Sequence, residues 1–217
     1  MSLLSDKYDT LLAEHEKSKD KIQKLQKTVD NINNKYTYIE KCNAALEQRL
    51  HEYEQSTRNQ NIEIVGIETL PNEDTKEIVQ ALGKMINVST AEIEWVRRNQ
   101  SRTHNGKAGS IIIGFKNSGT ETRNDWLKAR HKLTDITSNQ ITGTTIKNRI
   151  YINEDLTKAT RMLLWITKKE LNKHYRYIWV ANGKILIKKT DGGQTIWVRS
   201  ENDINSIIKS KDVTDSN

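Results

Sequence analysis

Residues 176–189 read RYIWVANGKILIKK, in which two apolar runs flank the pair Asn182-Gly183. A two-residue turn of type I′ needs a positive φ at both central positions, and Asn-Gly is the pair that accepts it most readily. The stretch therefore predicts a β-hairpin that turns at this pair. Antiparallel pairing across the turn places Ala181 opposite Lys184 and Tyr177 opposite Lys188.

The two faces of this hairpin differ in chemistry, because side chains alternate between the faces of a strand. One face is aliphatic and predicts a core side: Ile178, Val180, Ile185 and Ile187. The other face combines aromatic rings with ammonium groups: Tyr177, Trp179, Lys184, Leu186 and Lys188. Such a surface is typical of platforms that stack single-stranded nucleic acid. The alternative is that another part of the protein covers Trp179 and Leu186, and the sequence does not decide between the two.

The hairpin lies inside a small predicted α+β domain over 153–209. A helix over 153–175 precedes the hairpin, and Asn153 or Asp155 is the expected cap at its start. The stretch TIWVR (195–199) predicts a third strand, and a last helix follows near 201–209. We expect the polar tail, 210–217, to be disordered.

Residues 58–152 predict a β-α-β-β-α-β order. The strands are expected at 61–67, 92–98, 110–115 and 148–152, and the helices at 74–86 and 121–133. In the first helix, Ile78, Leu82, Met85 and Ile86 fall on one face. This order is that of the ferredoxin-like, RRM-like fold. The strands lack aromatic residues where RNA-recognition motifs stack bases, since Glu63, Ser110 and Ile112 stand there instead.

The first 56 residues predict a parallel coiled coil. Apolar residues recur every seven positions, with one set at the d positions from Leu4 to Tyr53 and another at the a positions from Tyr8 to Leu50. The residues expected to form the oligomer interface are Leu25, Val29, Ile32, Tyr36, Ile39, Asn43, Leu46, Arg49, Leu50, Tyr53 and Glu54. The fold class predicted for the whole chain is therefore a long N-terminal helical coiled coil followed by α+β domains.

The number of strands in the coiled coil is open between three and two. Ile22 and Val29 at a positions suit dimers, whereas isoleucine at d positions favours more strands. The stretch RLHEYE (49–54) resembles a short trimerisation motif of parallel coiled coils, in which Arg49 bridges to Glu54 of the neighbouring helix. We expect a homotrimer, with a dimer as the alternative.

Positive charge is concentrated in one part of the chain. The net charge of the whole chain is +7, but residues 97–199 hold 21 Lys and Arg against 7 Asp and Glu. Such an excess is the electrostatic footprint of a protein that meets phosphate groups. The loop 97–109 is a candidate basic arm for phosphate contacts, which would come from Arg97, Arg98, Arg102 and Lys107.

Signals for catalysis or a metal site are poor. Cys42 is the single cysteine, the five histidines lack metal-ligand spacing, and no Walker A or nucleophile-elbow motif is present. We therefore expect a non-enzymatic protein without a cofactor or metal. The sequence has no signal peptide and no membrane-spanning run, so we expect it to be intracellular, in the cytoplasm, with nuclear entry left open.

Two sequence words carry a family resemblance, IYINEDLT (150–157) and WVANGKILIKK (179–189). With their surroundings they resemble the C-terminal part of the baculovirus few-polyhedra (FP) proteins, a family related to the RNA-binding first-reading-frame proteins of LINE retrotransposons. The resemblance leaves a viral and a retrotransposon origin open. The nucleic-acid contacts that it implies are Arg149, Tyr151, Arg161, Arg176, Lys184, Lys188 and Lys189.

The two branches of this resemblance imply different functions. The LINE-type branch implies a homotrimer that coats RNA in ribonucleoprotein particles, with the RNA between the RRM-like and C-terminal domains. The FP branch implies a viral protein needed for normal occlusion-body number and virion fate. From the charge and the hairpin we expect an oligomeric protein that binds RNA or single-stranded nucleic acid with little sequence preference. The alternative is a viral structural scaffold that acts by protein–protein contacts in occlusion-body formation and virion envelopment.

Overall fold

A long helix, α1 (Ser2–Ser56), begins the chain in the computed structural model, which describes residues 2–100 and 108–212. The chain forms two compact units, Met1–Leu50 and His51–Asn217. Neither Gly nor Pro interrupts α1, and the prediction of a long N-terminal helix is confirmed. Exposed apolar side chains follow the predicted heptad positions: Tyr8, Leu11, Ile22, Leu25, Val29, Ile32, Tyr36, Ile39, Leu46, Leu50 and Tyr53.

The second unit is an α+β region. Its strands are β1 (Asn61–Val65), β2 (Ile93–Arg98), β3 (Ile111–Phe115), β4 (Tyr151–Glu154), β5 (Tyr177–Ala181), β6 (Lys184–Lys188) and β7 (Thr195–Val198). Its α-helices are α2 (Thr75–Ile86), α3 (Thr120–Lys128), α4 (Asn139–Thr142), α5 (Lys158–Leu171) and α6 (Glu201–Asp212). The predicted order of elements is present in both halves of this region.

Four strands form an antiparallel sheet in the order β2-β3-β1-β4. One face of this sheet packs against α2 and α3, since the core joins Ile62, Ile113 and Ile152 of the strands with Leu82 and Trp126 of the helices. Trp126 is fully buried, and its indole N–H donates to the carbonyl of Ser89 at 2.9 Å. A buried tryptophan needs such an acceptor, and this bond fixes α3 against the turn after α2.

Strands β5, β6 and β7 form a second antiparallel sheet in that order. Its core face is the predicted aliphatic face, where Ile185 and Ile187 are buried with Val198 of β7. Residues of α5 and α6, including Leu171 and Ile204, complete this core. Both helices thus pack on one side of the sheet, and the side that carries Trp179 is the other one.

The hairpin predicted at 176–189 is confirmed in its turn and in its register. Asn182 and Gly183 have φ values of 52° and 71°. Tyr177 pairs with Lys188 and Ala181 with Lys184. The turn chemistry alone was sufficient to fix this register, because a two-residue loop leaves one pairing of the flanking strands.

The tip of the hairpin is held by the residue that ends β4. The carboxylate of Glu154 accepts the backbone N–H of Asn182 at 2.9 Å and that of Gly183 at 2.6 Å. The guanidinium of Arg123, which is 2% exposed, lies 3.4 Å from the same carboxylate and donates to the side chain of Asn182. One ion pair therefore ties the three-stranded sheet to the four-stranded sheet.

The next residue, Asp155, holds the end of α1. Its carboxylate accepts from Arg58 at 3.2 Å and from Asn61 at 3.1 Å, and its carbonyl accepts from the buried amide of Gln55. The same amide group of Gln55 accepts the N–H of Thr157. The segment NEDLT (153–157) therefore contacts the last turn of α1 and joins both sheets.

Several local expectations were wrong. Thr157, not Asn153 or Asp155, caps α5, and its hydroxyl accepts the N–H of Thr160. Met85 does not face the core, since it is 41% exposed. The helix expected to reach 133 ends as α-helix at Lys128 and continues as a 3-10 helix, Ala129–Asp135.

Two further observations concern the helices. The last helix, α6, extends to Asp212, three residues into the tail that we expected to be disordered; residues 213–217 lie outside the described part of the chain. Among the described helices, none is long and apolar enough to cross a membrane.

Candidate nucleic-acid interface

The outer face of the three-stranded sheet carries a row of large side chains. Trp179 of β5 pairs with Leu186 of β6, which pairs with Trp197 of β7. All three are half-buried, and none belongs to either apolar core of the described residues. The row therefore forms an apolar strip across the sheet, on the side away from α5 and α6.

Two cations lie against Trp197. The ammonium nitrogen of Lys184 is 4.6 Å from the ring centroid, and the guanidinium carbon of Arg199 is 3.9 Å from it. Both side chains are exposed. An aromatic ring with cations beside it provides the two kinds of group that bind single-stranded nucleic acid, a ring for a base and cations for the phosphates.

Trp197 and Arg199 were not predicted as site residues, although the sequence contained a signal for Trp197. The stretch TIWVR was identified as a strand, and the alternation of that strand places Trp197 on the face opposite to Ile196 and Val198. Placing Trp197 next to Leu186 also requires the pairing of β7 with β6. Unlike the two-residue turn between β5 and β6, the longer loop between β6 and β7 does not specify that pairing.

The other end of this face is partly neutralised. The hydroxyl of Tyr177 donates to the carboxylate of Asp191, and Arg176 donates to the same carboxylate at 3.1 Å. The hydrogen bond to Asp191, the largest cause, raises the pKa of Tyr177. Lys188 is half-buried and Lys189 is exposed beside this group. Asp191 thus offsets one of the three positive charges at this end of the face.

The outer face of the four-stranded sheet carries an aromatic residue on the edge strand β2, whereas RNA-recognition motifs stack bases on their two central strands. Trp95 lies over Gly114 of the neighbouring strand, where an added Cβ would be 2.2 Å from the indole ring. The guanidinium carbon of Arg97 is 5.1 Å from the centroid of Trp95. Arg97 was predicted as a site residue but Trp95 was not, because the packing of the Trp95 ring over a glycine of the next strand is a tertiary contact.

Glu63 explains why no base can stack at the centre of this sheet. It is buried, and Arg161 from α5 donates to its carboxylate at 3.2 Å. Ile112 beside it is 1% exposed. The predicted absence of a central stacking residue agrees with this geometry. Arg161 donates to Glu63, but its side chain remains 54% exposed.

Arg98 makes structural contacts. Its guanidinium donates to both carboxylate oxygens of Glu73 and to the carbonyls of Ile67, Glu68 and Gly109. Its side chain is 11% exposed. These five bonds use all five N–H donors of the guanidinium, so none is left for a phosphate. The two other cations predicted in this basic arm, Arg102 and Lys107, lie outside the described residues.

Arg149 and Tyr151 border a surface groove of about 1070 Å³. Arg149 is exposed, and Tyr151 is 53% exposed at the start of β4. Glu68 lies in the wall of this groove, where hydroxyl groups of Thr142 and Thr144 donate to it. Burial alone would raise the pKa of Glu68, but these hydrogen bonds lower it to about 2.

The predicted site residues that the structure describes fall in four places. Arg161 lies on α5 against Glu63, and Arg98 lies in the wall of the groove, paired with Glu73. Tyr177, Trp179, Lys184 and Lys188 share the outer face of the three-stranded sheet, with Arg176 and Lys189 at its edge. Arg97 lies on the four-stranded sheet and Arg149 and Tyr151 at the groove. Within the described part of the chain, no group of three or more His, Cys, Asp or Glu side chains is placed to hold a metal ion.

Comparison with known proteins supports one part of the resemblance. No curated protein matches the chain. Residues 157–208, which span α5, the three-stranded sheet and most of α6, match the family model described as baculovirus FP protein domain 2. The part of the chain that carries the Trp179, Leu186 and Trp197 row is therefore similar to domain 2 of the baculovirus FP proteins.

Proposed function

We propose that this chain is a non-enzymatic, self-associating protein that binds RNA or single-stranded nucleic acid with little sequence preference. The outer face of the three-stranded sheet is the main contact surface in this proposal. The observation that carries it is the strip of Trp179, Leu186 and Trp197 with Lys184 and Arg199 against its last ring. Stacking on a base needs an aromatic ring, neutralisation of a phosphate needs a cation, and this face has both. Because every base has a π face, such binding tolerates different sequences.

The four-stranded unit adds a second contact surface. Its element order and its strand order, β2-β3-β1-β4, are those of an RRM-like domain, and they support that assignment. Trp95 and Arg97 on its outer face, with Tyr151 and Arg149 beside the groove, would extend the path of the strand. A relation to the LINE-type RNA-binding proteins is part of the same proposal.

Self-association is the third part of the proposal. The exposed apolar positions of α1 repeat every seven residues over the described helix, and a single chain leaves them in water. Exposed apolar surface of this extent is typical of a helix that has partners. We propose a parallel homotrimer, with a dimer as the alternative, and the tethered copies would raise the apparent affinity for a long strand.

Binding of the full chain to a labelled RNA of about 30 nucleotides, measured by fluorescence anisotropy at several salt concentrations, tests the function. We expect binding that weakens steeply with salt. The double change Lys184→Glu with Arg199→Glu should lower the affinity at least tenfold and reduce the salt slope by about two. The double change Lys128→Glu with Arg130→Glu is the matched control, because it makes the same change of charge at two exposed cations that do not belong to the three-stranded sheet.

Two outcomes would overturn the nucleic-acid function. One is an absence of binding at about 50 mM salt, where electrostatic contacts are strong. The other is an equal loss from the control and from the double change, which would indicate that only net charge matters. Either result would favour the scaffold alternative, in which the basic region docks on an acidic protein.

A further inference from the structure

A pocket of about 620 Å³ lies between the end of α1 and the start of α5. The residues from α1 and the turn after it are His51, Tyr53, Glu54, Thr57 and Arg58, and those from the start of α5 are Thr157, Lys158, Ala159 and Met162. The walls are held firmly, because Gln55 bonds to the backbone of Asp155 and Thr157, and Arg58 bonds to the carboxylate of Asp155. The pocket is therefore a formed feature of the second compact unit.

Met162, which lines the pocket, also belongs to an exposed apolar surface on α5. Met162 is 55% exposed and Trp165, one turn further along, is 56% exposed. These are the most exposed large apolar side chains outside α1 among the described residues. Residues three apart on a helix are neighbours on its surface, so the two side chains form one patch.

Tyr53 connects this patch to the predicted coiled coil. It lines the pocket together with Met162, it is 69% exposed, and it occupies a d position of the heptad pattern. In a parallel coiled coil, side chains at d pack against the neighbouring helices, and equivalent residues stand at the same height. A neighbouring helix that contacts Tyr53 is then within reach of Met162.

We propose that this pocket seats a second copy of the chain, so that α5 extends the interface of the coiled coil beyond its last heptad. The inference rests on the proposed self-association. The occupant is the end of the neighbour's α1, because a parallel heptad register brings it to the height of Tyr53 in the pocket wall. Burial of Met162 and Tyr53 between copies removes apolar surface that a single chain leaves in water.

The test uses the full chain and measures its mass by light scattering over a dilution series. Met162→Glu should raise the concentration at which the oligomer dissociates by about tenfold or more, because a carboxylate would be desolvated in the interface. Met162→Leu keeps the apolar contact and should behave as the unaltered chain. Met85→Glu is the matched control, since Met85 is an exposed methionine on α2 that does not line the pocket. Circular dichroism of each variant would confirm that the fold is kept.

Failure of the inference is distinguishable from failure of self-association. If the unaltered chain is monomeric at every concentration, both are overturned. If it forms an oligomer that Met162→Glu and Met85→Glu change equally, or not at all, only the role of α5 is overturned. A loss of RNA affinity in Met162→Glu with unchanged dissociation would place this surface in the nucleic-acid interface and would also overturn the inference.

Discussion

Single side chains in this protein have roles that their type does not reveal. Arg98 belongs to a basic run and was predicted to meet phosphate, yet it donates to Glu73 and to three carbonyls. Trp95 and Trp197 were not predicted, although each lies under a cation on an outer sheet face. Composition predicts that a region is basic and aromatic. Which of its side chains can still bind a ligand depends on contacts with residues distant in the sequence.

Glu68 should make the stability depend on pH. Its pKa is about 2 in the folded chain, because the hydroxyls of Thr142 and Thr144 favour its carboxylate form over the opposing effect of burial. A group with a lowered folded pKa stabilises the fold above its unfolded pKa, and this contribution is lost as the pH falls towards the folded value. We expect Glu68 to contribute about 3 kcal/mol at neutral pH, lost between about pH 4.5 and pH 2.

Urea denaturation at several pH values measures this contribution as a difference between variants. Glu68→Gln should flatten the profile in that window relative to the unaltered chain. Glu94→Gln is a suitable comparison, because Glu94 is an exposed carboxylate on β2. Parallel profiles for the unaltered chain and Glu68→Gln would show that the buried carboxylate does not titrate as described.

At the scale of elements, local patterns predicted the strands and helices better than their junctions. The Asn182-Gly183 turn fixed the hairpin register, and the heptads predicted α1. The cap of α5 was misplaced, because Asp155, one of the two expected caps, accepts from Arg58 and Asn61 at the end of α1 instead. Such pairings join residues far apart in sequence, and periodicity carries no information about them.

The ion pair at the hairpin tip should be a main contributor to the stability of the second unit. Glu154→Ala would leave two turn N–H groups without their acceptor and the buried guanidinium of Arg123 without its ion-pair partner. We expect a loss of about 3 kcal/mol in the free energy of unfolding, measured by urea denaturation. Glu170→Ala, which removes a carboxylate from an exposed pair with Lys169, should change it by less than about 0.5 kcal/mol. Equal losses would mean that the junction is not held by this carboxylate.

At the scale of the whole molecule, the proposed function depends on several copies acting together. Each chain offers cations and aromatic rings on two sheets, and contacts of this kind are individually weak. Tethering makes the second and third contacts intramolecular, which can raise the overall affinity by about a hundredfold without any new contact. Loss of the oligomer should therefore weaken RNA binding even when every contact residue is intact.

Two tyrosines of α1 provide a matched test of this dependence. Tyr36 occupies an a position and is 61% exposed in the single chain, while Tyr38, two residues on, lies at position c and is 69% exposed. Tyr36→Glu should dissociate the oligomer, because the introduced carboxylates would meet at the seam, and should lower the affinity for a long RNA at least tenfold. Tyr38→Glu makes the same chemical change on the solvated side, and we expect it to alter neither the mass nor the affinity. Light scattering and anisotropy on the same samples measure both, and a Tyr36→Glu chain that is monomeric yet binds RNA as tightly as before would show that avidity plays no part.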